Sequence, residues 1–312
     1  MGEQVIAFAA KRVGLALLVG LAVSAISFLL LHLSGDPAAA IAGPNATAAD
    51  VEFIRHHYGF DRPLAAQYLD WLSHMLAGDF GESLYFRKPV LGLVLGHMPV
   101  TLTLGACSIL FALALAVPLG IVAALNPNSW IDRLALTVSV VGQAMPSFWF
   151  GLLLMYLFGV VLRLLPISGT ESWASFVMPA ITLGYYATPA IMRLTRTGML
   201  EALAADYIRT ARAKGLRPAR VVVKHALRNA LLPVVALTAV QLGFVLGGSV
   251  VVETVFALDG MGYLAYQSIV QNDFPVIQAI VLVIAGFYIV LTMAADLLNA
   301  WLDPRLRAAE GA

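Results

Sequence analysis

Residues Arg193 to Arg228 read RLTRTGMLEALAADYIRTARAKGLRPARVVVKHALR, with nine basic residues, two acidic ones and long apolar runs on either side. Each Arg or Lys held at mid-membrane costs about 2.5–3.5 kcal/mol, so nine together would cost well over ~20 kcal/mol and this segment cannot span. It must lie at or beyond a membrane surface. Inside it, Met199, Leu200, Leu203, Ala204, Tyr207, Ile208 and Ala211 recur at helical spacing, and Gly215-Leu216-Arg217-Pro218 interrupts them. Arg217, Arg220, Lys224 and Arg228 then form a stripe at intervals of three and four residues, so the segment reads as helix, sharp turn, helix.

The flanks belong to a chain of 312 residues that is 60% hydrophobic and 12% charged, with a mean hydropathy of +0.86. A soluble domain carries about 25% charged residues. An ordinary soluble enzyme, a disordered chain and a phosphate-tracking nucleic-acid binder are therefore excluded. Six apolar runs are predicted to span, at about 13–33, 100–125, 134–162, 174–192, 231–252 and 276–298. Their cores are about twenty residues of continuous apolar character, which suits helices and not the alternating ten-residue strands of a membrane barrel. The first run exceeds the 7–15 residues typical of a signal-peptide core and reads as a retained anchor. The expected class is an all-α polytopic membrane protein, one transmembrane domain over 1–307 with a short tail at 308–312.

Placing the N-terminus in the cytoplasm puts Lys11, Arg12, Arg133, the nine basic residues of the 193–228 segment, Arg305 and Arg307 inside. Only Arg55, Arg62, Arg87, Lys88 and Arg163 remain outside. That asymmetry satisfies the positive-inside rule, with both termini cytoplasmic and a cytoplasmic loop at 193–230. The 34–97 region is then exterior. Its Leu64, Tyr68, Leu69, Trp71, Leu72, Met75 and Leu76 predict a short amphipathic helix, either a cap at the headgroups or a lid and dock over a pore mouth.

Catalytic chemistry finds no support. Histidines 32, 56, 57, 74 and 97 lie near the exterior side, yet there is no H-E-x-x-H and nothing fixes a ligand set. Cys107 is alone in an apolar run and reads as packing. No G-x-x-x-x-G-K-[ST] phosphate loop occurs, so any ATP-driven work needs another chain.

The third run contains Gly142-Gln143-Ala144-Met145-Pro146-Ser147, the fourth contains Pro179, Gly184 and Pro189, and the fifth contains Gly243, Gly247 and Gly248. Proline breaks and small-xxx-small spacing suit a pathway or a moving bundle, and they also occur in membrane helices without a transport role. Gln143 and Gln241 are pathway candidates because an amide facing lipid goes unsatisfied; Pro146, Gly243, Gly247 and Gly248 are gating candidates. No span carries the acid and lysine relay expected of an ion-driven pump. The basic segment alone fits attraction to anionic membrane lipid, while its Ala-rich helix and glycine turn fit close approach by a partner protein better.

Together these stretches resemble the inner-membrane permease subunits of bacterial ATP-binding-cassette importers, in the dipeptide, oligopeptide, nickel and glutathione branch. The resemblance rests on Ser34-Gly-Asp-Pro37, Tyr58 to Leu84, Asp206 to Val235, Leu258 to Val276 and DLLNAWLDPRLR from Asp296. It implies a type I importer permease fold in the bacterial inner membrane. It also implies that Arg209 to Arg228 corresponds to the coupling motif Glu-Ala-Ala, three residues, Gly, nine residues, Ile-x-Leu-Pro. On that alignment Arg209 takes the Glu position, Thr210 and Ala211 the two Ala positions, Gly215 the Gly and Leu227 the Leu. His225 stands at the Ile position and Arg228 at the Pro position. Tyr207 and Arg212 join the same implied ATPase-coupling surface.

The implied mechanism is alternating access. Two cytoplasmic ATP-binding subunits holding ATP and magnesium would drive the bundle, a second homologous permease would complete the pathway, and a periplasmic or lipid-anchored binding protein would deliver the solute. No cofactor is implied in this chain. An ion-coupled transporter, or a membrane scaffold recruiting a cytoplasmic protein, are the competing readings, and the peptide substrate is a branch-level expectation. A reporter fused to the C-terminus should read out on the cytoplasmic face; readout on the exterior face contradicts the orientation.

Overall fold

The computed structural model describes residues 2–33, 35–43 and 46–302. Among these the regular elements are helices, apart from one antiparallel bridge between Glu82 and Pro89. The expected tail at 308–312, with Arg305 and Arg307, lies outside the described residues, as does Ser34.

A long first helix, α1 (Gly2–Leu33), leads into three short ones, α2 (Pro37–Ala42), α3 (Ala48–His57) and α4 (Leu64–Leu76). The amphipathic α4 was expected from its spacing, and it folds back on α1. Tyr68 and Trp71 set their rings 5.5 and 5.7 Å from Phe28, and the Tyr68 hydroxyl lies 2.8 Å from Ser24 Oγ. Aromatic contacts of this kind are worth about 0.5–1.5 kcal/mol each beyond area burial.

The central pair is α5 (Val90–Leu125) with α8 (Val177–Ala204). They approach closely because glycines sit at the contacts: a Cβ on Gly120 would lie 2.7 Å from Thr195 Cβ and 2.9 Å from the Met192 carbonyl. Thr182, Thr188 and Thr195 donate to carbonyls four residues back, so α8 satisfies its own hydroxyls. A helix enclosed in this way need not be as apolar as one facing lipid.

That enclosure bears on the span count. Among the described residues four stretches are long and apolar enough to cross a membrane by length and composition: Ala10–Leu30, Val90–Leu125, Pro218–Phe256 and Phe274–Leu297. The expected run at 174–192 starts as a 3-10 turn (Trp173–Phe176) before α8 and is too rich in Thr, Tyr, Gly and Pro to count. The expected run at 134–162 is not one helix. It divides into α6 (Trp130–Ala144), α7 (Ser147–Leu154) and a π-helical segment (Met155–Val161). Pro146 causes the first break: it lacks an N–H, and it drives Met145 to extended φ −102° and ψ 138°.

After α8 the chain bends at Ala205 (ψ 151°), so the helix expected to run through Ala211 is two helices, α8 and α9 (Asp206–Ala213). Then come α10 (Pro218–Arg220), a π-helical segment (Val221–Leu227), α11 (Arg228–Phe256), α12 (Met261–Val270) and α13 (Phe274–Leu302).

Polar locks close both ends of the bundle. At the end carrying α4, Glu253 is fully buried and accepts from Thr101 Oγ1 at 2.8 Å and from the amides of Gly262 and Tyr263 at 2.7 and 3.1 Å. Thr101 in turn accepts from the Met261 amide at 2.8 Å, tying α5, α11 and α12 together. Asp273, also fully buried, accepts from Ser83 Oγ and from the Leu84 and Tyr85 amides. At the opposite end Arg196 grips Asp132 through two parallel bonds of 2.8 and 2.7 Å, and Arg12 meets Asp296 at 3.0 Å.

Replacing Glu253 by Ala strands a hydroxyl and two amides at about 1–3 kcal/mol for each buried group. Glu253→Ala should lower the melting temperature of the detergent-solubilised protein by on the order of 5 °C or more. The exposed Glu171→Ala should stay within about 0.5 kcal/mol of the parent. Equal melting of the two variants would refute the lock.

Candidate functional site

The end of the bundle opposite α4 is built around α9. Ile208 is 0% exposed and Ala211 is buried beside it, and both pack with Met199, Ala202, Val221, Ala226 and Ala230. Leu227, a predicted coupling residue, is partly buried against the same cluster. Tyr207, Arg209, Thr210 and Arg212 occupy the other face of α9 and are exposed. The helix thus turns an apolar side to the bundle and a polar side outward. Asp206 at its first turn and Arg212 in its last complement the helix dipole.

Gly215 ends α9 in the left-handed region at φ +72°. Its amide donates to the Arg212 carbonyl at 2.9 Å and the Leu216 amide to the Ala211 carbonyl at 3.4 Å, the paired bonds of a Schellman cap. No atom lies within 4 Å of a Cβ built there, so backbone conformation and not crowding calls for glycine.

One side-chain bond mounts this helix on the bundle. Tyr207 Oη accepts from Asn229 Nδ2 at 2.9 Å, linking α9 to the start of α11. The bidentate Arg196–Asp132 pair joins α8 to the first turn of α6. Ser129 caps α6, accepting from the Asp132 amide, and Asp132 also accepts from the Asn128 amide at 3.0 Å. The Arg196 hydrogen bonds hold the Asp132 carboxyl below the usual carboxylate range, and Asp132 raises Arg196 in return.

The sequence treats Arg196 as one of nine loose cations, and a single letter spacing, Ser129 to Asp132, is the only trace of its partner. Glu253 follows the expected run at 231–252 and so falls on the exterior side of that topology. Its sole sequence signal is the pair of glycines that follows, whose lack of side chains makes room: a Cβ on Gly260 would lie 2.7 Å from Glu253 Cδ and one on Gly262 2.9 Å from Glu253 Oε2.

The pathway candidates do not form one cluster. Gln143 is exposed near the α6 break and donates to the Tyr186 carbonyl at 3.3 Å; Pro146 starts α7 and Gln241 is half-buried in α11. Gly243 is buried against the Tyr288 ring of α13, where a Cβ would approach to 2.6 Å. Gly247 and Gly248 are exposed with nothing within 4 Å, and Phe244 and Val251 beside them are exposed as well. One face of α11 is therefore open in the single chain.

At the α4 end a cavity of about 720 Å³ lies between α1, α4, residues 79–87 and the start of α13. Phe28, Trp71 and Phe274 form its apolar part, with Asp70, Glu82 and Arg87 also lining it. Among the described residues no three His, Cys, Asp or Glu side chains converge as metal ligands.

Comparison with known proteins assigns this architecture. Residues 116–308 match the family described as "Binding-protein-dependent transport system inner membrane component", and residues 5–105 match its N-terminal companion, "Binding-prot-dependent transport system membrane comp, N-term". The "Glutathione transport system permease protein GsiC" of Salmonella typhimurium is 42% identical over 288 residues, covering 92% of this chain and 94% of the relative. Its counterpart in Escherichia coli strain K12 is 42% identical over 286 residues, covering 91% and 94%. A chain of the "Inward facing conformations of the MetNI methionine ABC transporter" structure superposes with a TM-score of 0.58 at 20% identity, over 69% of this chain and 99% of that one, which supports the shared fold. The chain belongs to the binding-protein-dependent inner-membrane components, and is a permease subunit forming the transmembrane pathway of an ATP-binding-cassette importer whose ATPase activity resides in separate subunits.

Proposed function

We propose that this chain forms half of an alternating-access pathway for a small peptide such as glutathione, driven by an ATPase that docks on the outward face of α9. The observation that carries this reading is the amphipathic α9 itself. Its buried side packs into the bundle, and Tyr207, Arg209, Thr210 and Arg212 are exposed, with no element among the described residues covering Arg209, Thr210 and Arg212. The peptide class follows from the 42% identical relatives, which are named for glutathione transport.

Six crossings with both termini cytoplasmic suit the long-range bonds. With that topology Arg12–Asp296, Arg196–Asp132 and Tyr207–Asn229 all fall at the inner end, and Tyr68–Ser24, Thr101–Glu253 and Ser83–Asp273 at the outer end. Every pair joins partners on one side. The divided α6–α7 run and the enclosed α8 then supply the third and fourth crossings. In the same arrangement the α4 cavity faces the exterior binding protein, and the open α11 face with Gly247 and Gly248 meets the second permease along the pathway. Gln143, Gln241 and the Pro146 break serve as pathway-lining and hinge positions. ATP and magnesium belong to the partner ATPases.

Motion reaches the bundle through short, bonded links. α9 is separated from α8 by Ala205 alone, and Arg196 fastens α8 to the first turn of α6, so displacement of α9 moves α8 and α6 with it.

A side chain with a Cβ at Gly215 would carry about 1–2 kcal/mol of left-handed strain, roughly a tenfold loss in correctly capped α9. Gly215→Val should lower substrate-stimulated ATP hydrolysis and transport by about that factor in the reconstituted importer, with membrane insertion unchanged. Gly215→Asn should lose much less, because Asn tolerates this conformation. Unaltered coupling in the Val variant would defeat the docking assignment.

A further inference from the structure

Beside α9 lies a second cavity of about 410 Å³, lined by Tyr207, Lys224, His225, Arg228, Asn229 and Leu232. No carboxylate lines it, and among the described residues neither Lys224 nor Arg228 makes an ion pair. Two uncompensated cations, an imidazole, a phenol and an amide therefore share one recess. His225 and Arg228 are two of the four positions where the chain departs from the coupling motif, the others being Arg209 for Glu and Thr210 for Ala on α9. Of these four, His225 and Arg228 line this cavity.

The backbone explains how they meet. Residues Val221–Leu227 form a π-helical segment, with a wider turn than an α-helix. At that pitch residues four apart lie close to one face, so Lys224 and Arg228 stack and Leu232 follows one turn further on. The recess grades from charged to apolar along the helix, toward the apolar stretch of α11. A soluble anion needs only the cations. A charged site that continues into an apolar wall at a membrane surface suits an amphiphile with an anionic head.

We propose that this cavity binds the phosphate of an anionic phospholipid of the inner leaflet, held between Lys224 and Arg228 with its apolar part beside Leu232. Basic pockets between membrane helices on the cytoplasmic side take such head groups. Tyr207 lies in the wall and is bonded to Asn229, so occupancy braces the same helix that is proposed to dock the ATPase. The inference rests on placing α9 at the inner face, and its test reads lipid separately from coupling.

The assembled importer is reconstituted in nanodiscs of phosphatidylcholine with increasing phosphatidylglycerol, and the lipid retained after detergent extraction is measured by mass spectrometry. The parent should retain phosphatidylglycerol in preference to phosphatidylcholine, and its coupled ATP hydrolysis should rise with phosphatidylglycerol content. Lys224→Gln with Arg228→Gln should weaken retention by roughly thirtyfold, the loss of two cation contacts. Arg220→Gln, on the same basic stripe but outside the cavity, should change it by no more than about twofold. Four results overturn the site: no preferential retention by the parent; equal retention by the double variant; an equal loss in Arg220→Gln, which means diffuse attraction; or loss of the ATPase subunits from the double variant, which means the cations grip protein. Activation by inorganic phosphate in pure phosphatidylcholine discs would assign the site to a soluble anion instead. If Gly215→Val leaves coupling intact while retention follows the expected pattern, the docking assignment fails and the lipid site stands.

Discussion

A bilayer solvates neither a charge nor an unpaired backbone group, and this chain answers that constraint at each end of its bundle. Where acids sit inside protein they are fully provided with donors. Glu253 takes a hydroxyl and two amides, Asp273 takes a hydroxyl and two amides, and Asp132 takes both arms of one guanidinium. Buried pairs of this kind add little net stability compared with apolar packing, yet losing one partner is costly. Their effect is to fix which helices meet and in what register. Between the two polar ends the middle is left to apolar and small-residue contacts, above all the α5–α8 approach at Gly120.

The rigidity so obtained is uneven, and its unevenness suits transport. α5 and α8 are in close contact and Arg196–Asp132 fastens α8 to the first turn of α6, whereas the run that α6 opens is divided at Pro146 and changes to π-helical geometry at Met155. A π-helical segment recurs at Val221–Leu227, where the chain re-enters the bundle after α9. Interruptions therefore lie beside α9 and beside the α6–α7 break, while the locks lie at the ends. A push on α9 would be carried by a stiff α8 and absorbed at those two interruptions.

Much of this was legible in the letters. The nine cations of Arg193 to Arg228 required a surface loop between apolar runs, α4 emerged from its spacing, and Gly215 was read as a turn before its positive φ was seen. What escaped has a common physical character. Span counting sees apolar length, so it could not tell that α8 is enclosed and can tolerate Thr and Tyr, nor that Pro146 would divide one run into separate helices. Charge counting sees sign and side, so it could not tell that Glu253 is buried and paired, and it left Arg196 as one of nine equivalent cations. Both are defined by partners far away in sequence, Thr101 and Asp132, and a pairing across 152 or 64 residues leaves no periodic trace. The break at Ala205 is likewise invisible, because the apolar spacing continues through it.

The central claim is that the outward face of α9 is the surface on which an ATPase acts. A photoreactive amino acid introduced at Arg212 in the assembled importer tests this most directly. The account predicts cross-links to the ATP-binding subunit; labelling of lipid alone, in a complex that still hydrolyses ATP and transports, would contradict it.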